Sequence, residues 1–202
     1  MPEPYIAEAQ VGHWVSEGVR EAFQVAGFDI RDWPLTQHLE KQVPADALFF
    51  SPLFSKVFGL QYKTLYHNSE DFWPLDEDQH RTLQERRWIF YCCSELKDVA
   101  DHRLALHFAR FYRSRFEFKT SLPTTGLFRG GGGYFRWGAF YRGLKACRIG
   151  HKVRSQSELR DLLEPFSGRA RLREVQQIQE LFLADFSQRV LFAERLFSRR
   201  TE

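Results

Sequence analysis

The run Val57-Phe58-Gly59-Leu60-Gln61-Tyr62-Lys63 alternates with a period of two, and it constrains the chain more than any other segment. A strand over about 56–65 buries Phe58, Leu60 and Tyr62 on one face and carries Gly59, Gln61 and Lys63 on the other. Upstream, residues 46–51 (Asp-Ala-Leu-Phe-Phe-Ser) read as a partner strand, and Ser51-Pro52-Leu53-Phe54-Ser55 is a turn-compatible link. Pairing the two strands brings Asp46 within reach of Gln61 and Lys63. An acid, an amide and a lysine gathered in this way make a place to hold a divalent metal and a phosphate. The same residues also fit a plainer role, with Asp46 capping a turn and Lys63 facing solvent from a half-buried strand.

The rest of the chain reads as alternating helices and strands. Val15, Val19, Ala22 and Ala26 have helical spacing and stop at Gly27, which predicts a helix over about 12–26, followed by an extended segment from Phe28 to Leu35. Asp71-Phe72-Trp73-Pro74 breaks the pattern, and Asp76-Glu77-Asp78 supplies carboxylates for the first turn of a helix reaching about Arg86. Trp88 to Cys93 is an apolar run of strand length. Asp98 to Tyr112 has helical spacing, and Arg115-Phe116-Glu117-Phe118-Lys119 alternates like a strand. Beyond the glycine-rich stretch from Gly126 to Gly133, Trp137, Phe140, Tyr141, Leu144 and Cys147 form a helical stripe with Arg142 and Lys145 on its polar side. Ser155 and Glu158 have capping-box spacing for a short helix, and a long amphipathic helix is predicted over about 170–198. The expected organisation is an α/β core over 1–122, with a glycine-rich loop and basic helical extension over 123–202 packed on it.

Composition and absent motifs narrow the function. With 202 residues and 43% apolar content, the chain can bury a substantial core. It has no apolar run of roughly 18 residues and no basic-then-apolar leader, so a cytoplasmic protein without a membrane partner is expected. Its three cysteines, two of them adjacent, make a poor disulfide framework and are read as small buried residues. Zinc-ligand spacing, a phosphate-binding Gly-x-x-x-x-Gly-Lys loop and a Gly-x-Ser-x-Gly elbow are all missing, which sets aside structural zinc, P-loop NTPases and common serine hydrolases.

Charge is unevenly spread. Residues 1–101 hold 17 Asp and Glu against 9 Lys and Arg, whereas residues 102–202 hold 9 against 20. From Phe118 to Ser157 there is no carboxylate, but there are Arg129, Arg136, Arg142 and Lys145 among other cations. Such a block attracts a polyanion, or else forms a solvated surface or pairs with the acidic half. In the glycine-rich stretch, side-chain-free amides can approach phosphate while Tyr134, Phe135 and Trp137 stack on unpaired bases. Four consecutive glycines equally describe an uncommitted connection.

The predicted order of helix, three strands, helix and strand, with Asp46 on the second strand and Gln61-x-Lys63 on the third, resembles the restriction-endonuclease-like nucleases of the PD-(D/E)XK superfamily. It looks most like the Gln-x-Lys variants, such as Mrr-type restriction enzymes. The segment from Gly12 to Gly27-Phe28 is similar to the family's opening helix, and the likeness covers about residues 12–120. It implies a central mixed sheet flanked by helices and Mg²⁺-dependent hydrolysis of DNA, with Mn²⁺ as an alternative ion and RNA as an alternative substrate. Asp46 and Gln61 would hold the metal, Lys63 would orient water or stabilise developing charge, and Glu17 or Glu21 would supply the acid that the family often carries on the opening helix. Arg129, Arg136, Arg142 and Lys145 would contact nucleic acid, with Gln79 or Gln84 as further substrate contacts. Gln61 stands where the family usually has an acid, which removes one metal-binding charge.

Three alternatives stay open at this level. Glu117-x-Lys119 with Asp98 or Asp101 is a second acid-x-Lys candidate, although the two aspartates are better explained as helix caps. The chain also fits an inactive nuclease-like binding subunit. Its long C-terminal helix is compatible with a homodimer.

Overall fold

The computed structural model describes residues 2–35, 45–51, 54–124 and 133–163. Most of the glycine-rich stretch with Arg129, and the predicted helix at 170–198 with its proposed dimer contact, lie outside them. The chain opens with β1 (Glu3–Pro4), α1 (Glu8–Val25) and β2 (Arg31–Pro34), followed by β3 (Ala47–Ser51) and β4 (Lys56–Lys63). Next come β5 (Tyr66–His67), β6 (Asp71–Pro74), α2 (Glu77–Glu85) and β7 (Ile89–Ser94). A 3-10 turn (Val99–Leu104) precedes β8 (Ala109–Arg113), β9 (Ser121–Pro123), β10 (Tyr134–Phe135), α3 (Trp137–Lys145), β11 (His151–Lys152) and α4 (Gln156–Leu163).

A mixed sheet runs in the order β10-β8-β7-β4-β3-β2, and β11 pairs with the first two residues of β4. Strands β2, β3 and β4 form an antiparallel meander, and the connection through α2 returns β7 parallel to β4. A parallel pair requires such a crossover, and its helix covers one face of the sheet. A smaller sheet, β1-β5-β6-β9, lies apart from this path.

The main sheet is buried on both sides. Phe58, Leu60 and Tyr62 pack with Val11, Val15 and Val19 of α1 and Phe140 and Leu144 of α3. Val57, Ile89, Tyr91 and Cys93 pack on the other side with Leu83 of α2 and Trp73 of β6. All eight residues of β4 are therefore buried, including its polar ones. The alternation seen in the sequence holds, but its second face is an interior instead of a wet surface. β10, α3 and β11 contribute strands and packing to this same body, so the chain after residue 123 helps build the core.

Several elements have readable local causes. Asp76 caps α2 by accepting from the Gln79 amide at 2.8 Å. Gly27, at φ +75°, ends α1 in a conformation that costs a residue without a Cβ little. The capping box of α4 forms, with Ser155 Oγ accepting from the Glu158 amide and the Glu158 carboxylate accepting from the Arg154 amide.

Other expectations are overturned. The helix predicted over 98–112 is only a 3-10 turn, because Ala109 to Arg113 pair antiparallel with β7 as β8. The alternating segment 115–119 is not a strand; its Phe116 and Phe118 pack against the His80 ring without a ladder. Asp71 to Pro74, read as a break, is strand β6. Cys92 and Cys93 are buried as expected, whereas Cys147 is exposed in the turn after α3.

Candidate active site

The antiparallel register sets Ala47 opposite Leu60, which places Asp46 across from Gln61 where β3 begins and β4 nears its end. The Asp46 amide donates to the Leu60 carbonyl at 2.8 Å and extends the ladder by one step. Its half-buried carboxylate accepts from Gln61 Nε2 at 2.9 and 2.8 Å and from the Tyr62 amide at 2.5 Å. Gln61 is only 2% exposed. Its Oε1 is buried and has no hydrogen-bond partner, so one strong acceptor remains unsatisfied beside the acid–amide pair.

Lys63 points to the same side as Gln61. Its ammonium lies 3.6 Å from Glu8 Oε2, with the lysine side chain 11% exposed and that of Glu8 40%. Glu8 sits in the first turn of α1. The Thr64 hydroxyl donates to the Ile6 carbonyl at 2.7 Å and ties this end of β4 to the segment entering α1. Parallel pairing sets Tyr91 beside Gln61 and Cys93 beside Lys63. Burial pushes the Cys93 thiol far up, so it stays protonated and forms an inert wall.

Behind this wall, His80 Nε2 donates to the Phe116 carbonyl at 3.0 Å, which leaves Nδ1 to accept from the Tyr91 hydroxyl at 3.2 Å. Burial holds the His80 imidazole below its ordinary pKa, against the pull of its bond to the Phe116 carbonyl. Gln84, considered as a substrate contact, instead donates to the Phe116 carbonyl inside the fold.

Glu17 does not join the cluster. It stands exposed on α1, 3.5 Å from His13, on the side of the helix away from buried Val11, Val15 and Val19. Glu21 is exposed as well. The helical carboxylate that reaches Lys63 is Glu8, four residues before the predicted helix start. Its signal was hidden because Ala7, at the N-cap, offers no side-chain cap to mark the true start. The second candidate is not assembled, since Glu117 and Lys119 are exposed outside any strand and Asp98 caps the 3-10 turn through the Ala100 amide.

No family model, curated protein or solved structure matches this chain. Its chemistry therefore rests on the geometry alone. Among the described residues, no group of three or more His, Cys, Asp and Glu could hold a metal ion. A hard, largely hydrated cation needs fewer protein oxygens, and Asp46 and Gln61 carry oxygens of the kind it takes. The amide nitrogen now faces the acid, so a half-turn of the Gln61 amide is needed to present both oxygens together.

The basic residues divide between two places. Arg136 directly follows β10, and its Nη1 lies 2.5 Å from Glu95 Oε2. Arg142 and Lys145 lie at the other end of α3, where the Lys145 ammonium sits 5.9 Å from the ring centres of Phe28 and Tyr141. Pairing between the acidic and basic halves thus accounts for part of the cationic block.

Proposed function

We propose that the protein is a metal-dependent nuclease of restriction-endonuclease-like fold that hydrolyses phosphodiester bonds in DNA. The observation that carries this reading is the contact of Asp46 with Gln61 across β3 and β4, with a buried unpaired Gln61 oxygen and Lys63 on the same face. The element order supports it: a helix, an antiparallel three-stranded meander, a helix, and a strand parallel to the third. Asp46 and Gln61 would hold Mg²⁺ or Mn²⁺, which supplies water activation and charge neutralisation at the phosphate.

Lys63 serves the phosphate directly. A nearly buried ammonium has little water to screen it, and it stabilises negative charge that develops on phosphoryl oxygens. Glu8, 3.6 Å away, holds that ammonium in position until substrate arrives. Both residues lie at the carboxyl end of β4, where open α/β sheets gather their ligands.

A second reading has its own support. Two donor nitrogens, Gln61 Nε2 and the Tyr62 amide, already make three contacts to the Asp46 carboxylate, which suits a nuclease-like subunit that binds partners without cleaving. Supercoiled plasmid and linear single-stranded DNA, incubated with Mg²⁺ or Mn²⁺ and with a chelator control, separate the two. Cleavage abolished by Asp46→Ala and by Lys63→Ala supports the nuclease. Salt-sensitive DNA binding without cleavage supports the subunit.

A further inference from the structure

The carboxyl ends of β4, β7 and β10 point the same way, because β10 is antiparallel to β8 and β8 is antiparallel to β7. Lys63, Glu95 and Arg136 close or directly follow these strands along one edge of the sheet. At this edge lies a cavity of about 660 Å³, lined by Glu95, Lys97, His107, Phe108, Arg136 and Trp137, with Gly138 in its wall. Strand spacing sets it roughly 10–15 Å from Lys63.

Its walls combine aromatic surface with cations. The Trp137 indole is braced by Phe23, Phe111 and Phe140, so it is a fixed platform. The Glu95 carboxylate is held by two guanidiniums, those of Arg110 and Arg136. Lys97 is balanced by Asp71 at 2.5 Å, which leaves a net positive charge around the opening. Fixed aromatic rings beside arginine are the features that take unpaired bases and their phosphates without regard to sequence.

We propose that this cavity receives an unpaired base of a single-stranded DNA substrate. The proposal rests on reading Asp46, Gln61 and Lys63 as the cleavage site, since it places the base on the same strand, a short distance from the broken bond. A duplex keeps its bases stacked and paired, and so cannot fill the cavity without unpairing.

Gly138 provides a direct test. A Cβ there comes within ordinary contact of the far end of Arg142, at 3.6 Å, so a side chain can be added at this lining position, and Gly138→Leu places bulk at the cavity wall. Binding of fluorescein-labelled oligo-dT and of a duplex of equal length is measured by anisotropy in chelator, where no metal-dependent cleavage occurs. The wild type should bind the single strand at least tenfold more tightly than the duplex, with quenching of tryptophan fluorescence. Gly138→Leu should weaken single-strand binding tenfold or more with a thermal unfolding midpoint that is not lowered. Trp137→Phe should retain binding and lose most of the quenching, which assigns that signal among the five tryptophans. His107→Ala, at an exposed lining position, tests the same cavity by a second route and should weaken single-strand binding. Equal affinity for single strand and duplex, or unimpaired single-strand binding by folded Gly138→Leu, would overturn the proposal. Cleavage by wild type and Asp46→Ala in Mg²⁺ tests the nuclease reading separately, so either reading can fail alone.

Discussion

Gln61 donates its amide nitrogen to both carboxylate oxygens of Asp46, at 2.9 and 2.8 Å, and its own oxygen is left buried without a partner. The amide thus relieves the acid at the cost of one unsatisfied acceptor, a cost of about 1–3 kcal/mol. The first prediction follows from this imbalance.

Gln61→Glu sets two carboxylates against each other. Without a divalent cation, repulsion raises one of them above the usual carboxylate range. Denaturant unfolding should show a loss of about 1–3 kcal/mol, most of it restored by millimolar Mg²⁺. A loss of the same size with and without Mg²⁺ would take the metal away from this site.

Lys63→Met keeps the aliphatic stem and removes the charge. Under the nuclease reading, kcat should fall by about 10²–10³-fold with the fold intact, measured as plasmid cleavage beside far-ultraviolet circular dichroism. Glu8→Gln should change kcat much less, since Glu8 acts through the lysine. Its effect on stability should stay below about 1 kcal/mol, because the Glu8 side chain is 40% exposed.

Gly12 fixes how closely α1 lies on β4. A Cβ there would stand 2.6 Å from Tyr62 Cδ2, and the Tyr62 ring is held by its hydroxyl's 2.6 Å contact with Ser16 Oγ. Gly12→Ala should therefore destabilise the fold by about 1–3 kcal/mol in urea denaturation, although alanine favours helix. A neutral result would mean that α1 can move off the strand freely.

His80 makes stability depend on pH in a definite direction. Burial lowers its pKa from the ordinary 6.5, so the unfolded chain takes up a proton before the folded one does. The contribution is fully present above about pH 6.5 and is lost as pH falls through that value toward the folded pKa. The slope reaches at most about 1.4 kcal/mol per pH unit. Equilibrium unfolding between pH 7.5 and 5 should show this decline, and His80→Gln should flatten it. A wild-type slope retained in the variant would assign the effect to other groups.

The hairpin was legible because both of its signals are local. Alternation from Val57 to Lys63 fixed the strand and its two faces, and the short link fixed the partner that carries Asp46. Likewise Asp76 and Ser155 mark helix starts through bonds made within three or four residues. The segment from Ala109 to Arg113 misled because its apolar spacing fits a helix, while its strand identity comes from pairing with β7, a partner remote in sequence. Phe116 and Phe118 show the converse, since alternation there reports burial against His80 without a ladder. The small sheet was unreadable because its strands are two to four residues long and include Pro4, Pro74 and Pro123.

By itself, then, the sequence determined that Asp46 would face Gln61 across two paired strands, with Lys63 two residues further along on the same face, because side-chain alternation and a short turn leave few other registers. Only the tertiary structure decided which carboxylate reaches Lys63. Glu8 does so because β1 pairs with β5 and the entry to α1 is tied to Thr64, contacts between segments some sixty residues apart. The structure also decided that the polar face of β4 would be buried, since α2 and the small sheet cover it. Periodicity reflects energies between near neighbours along the chain. Burial and long-range pairing depend on which distant surfaces close over one another, and local spacing does not encode that choice.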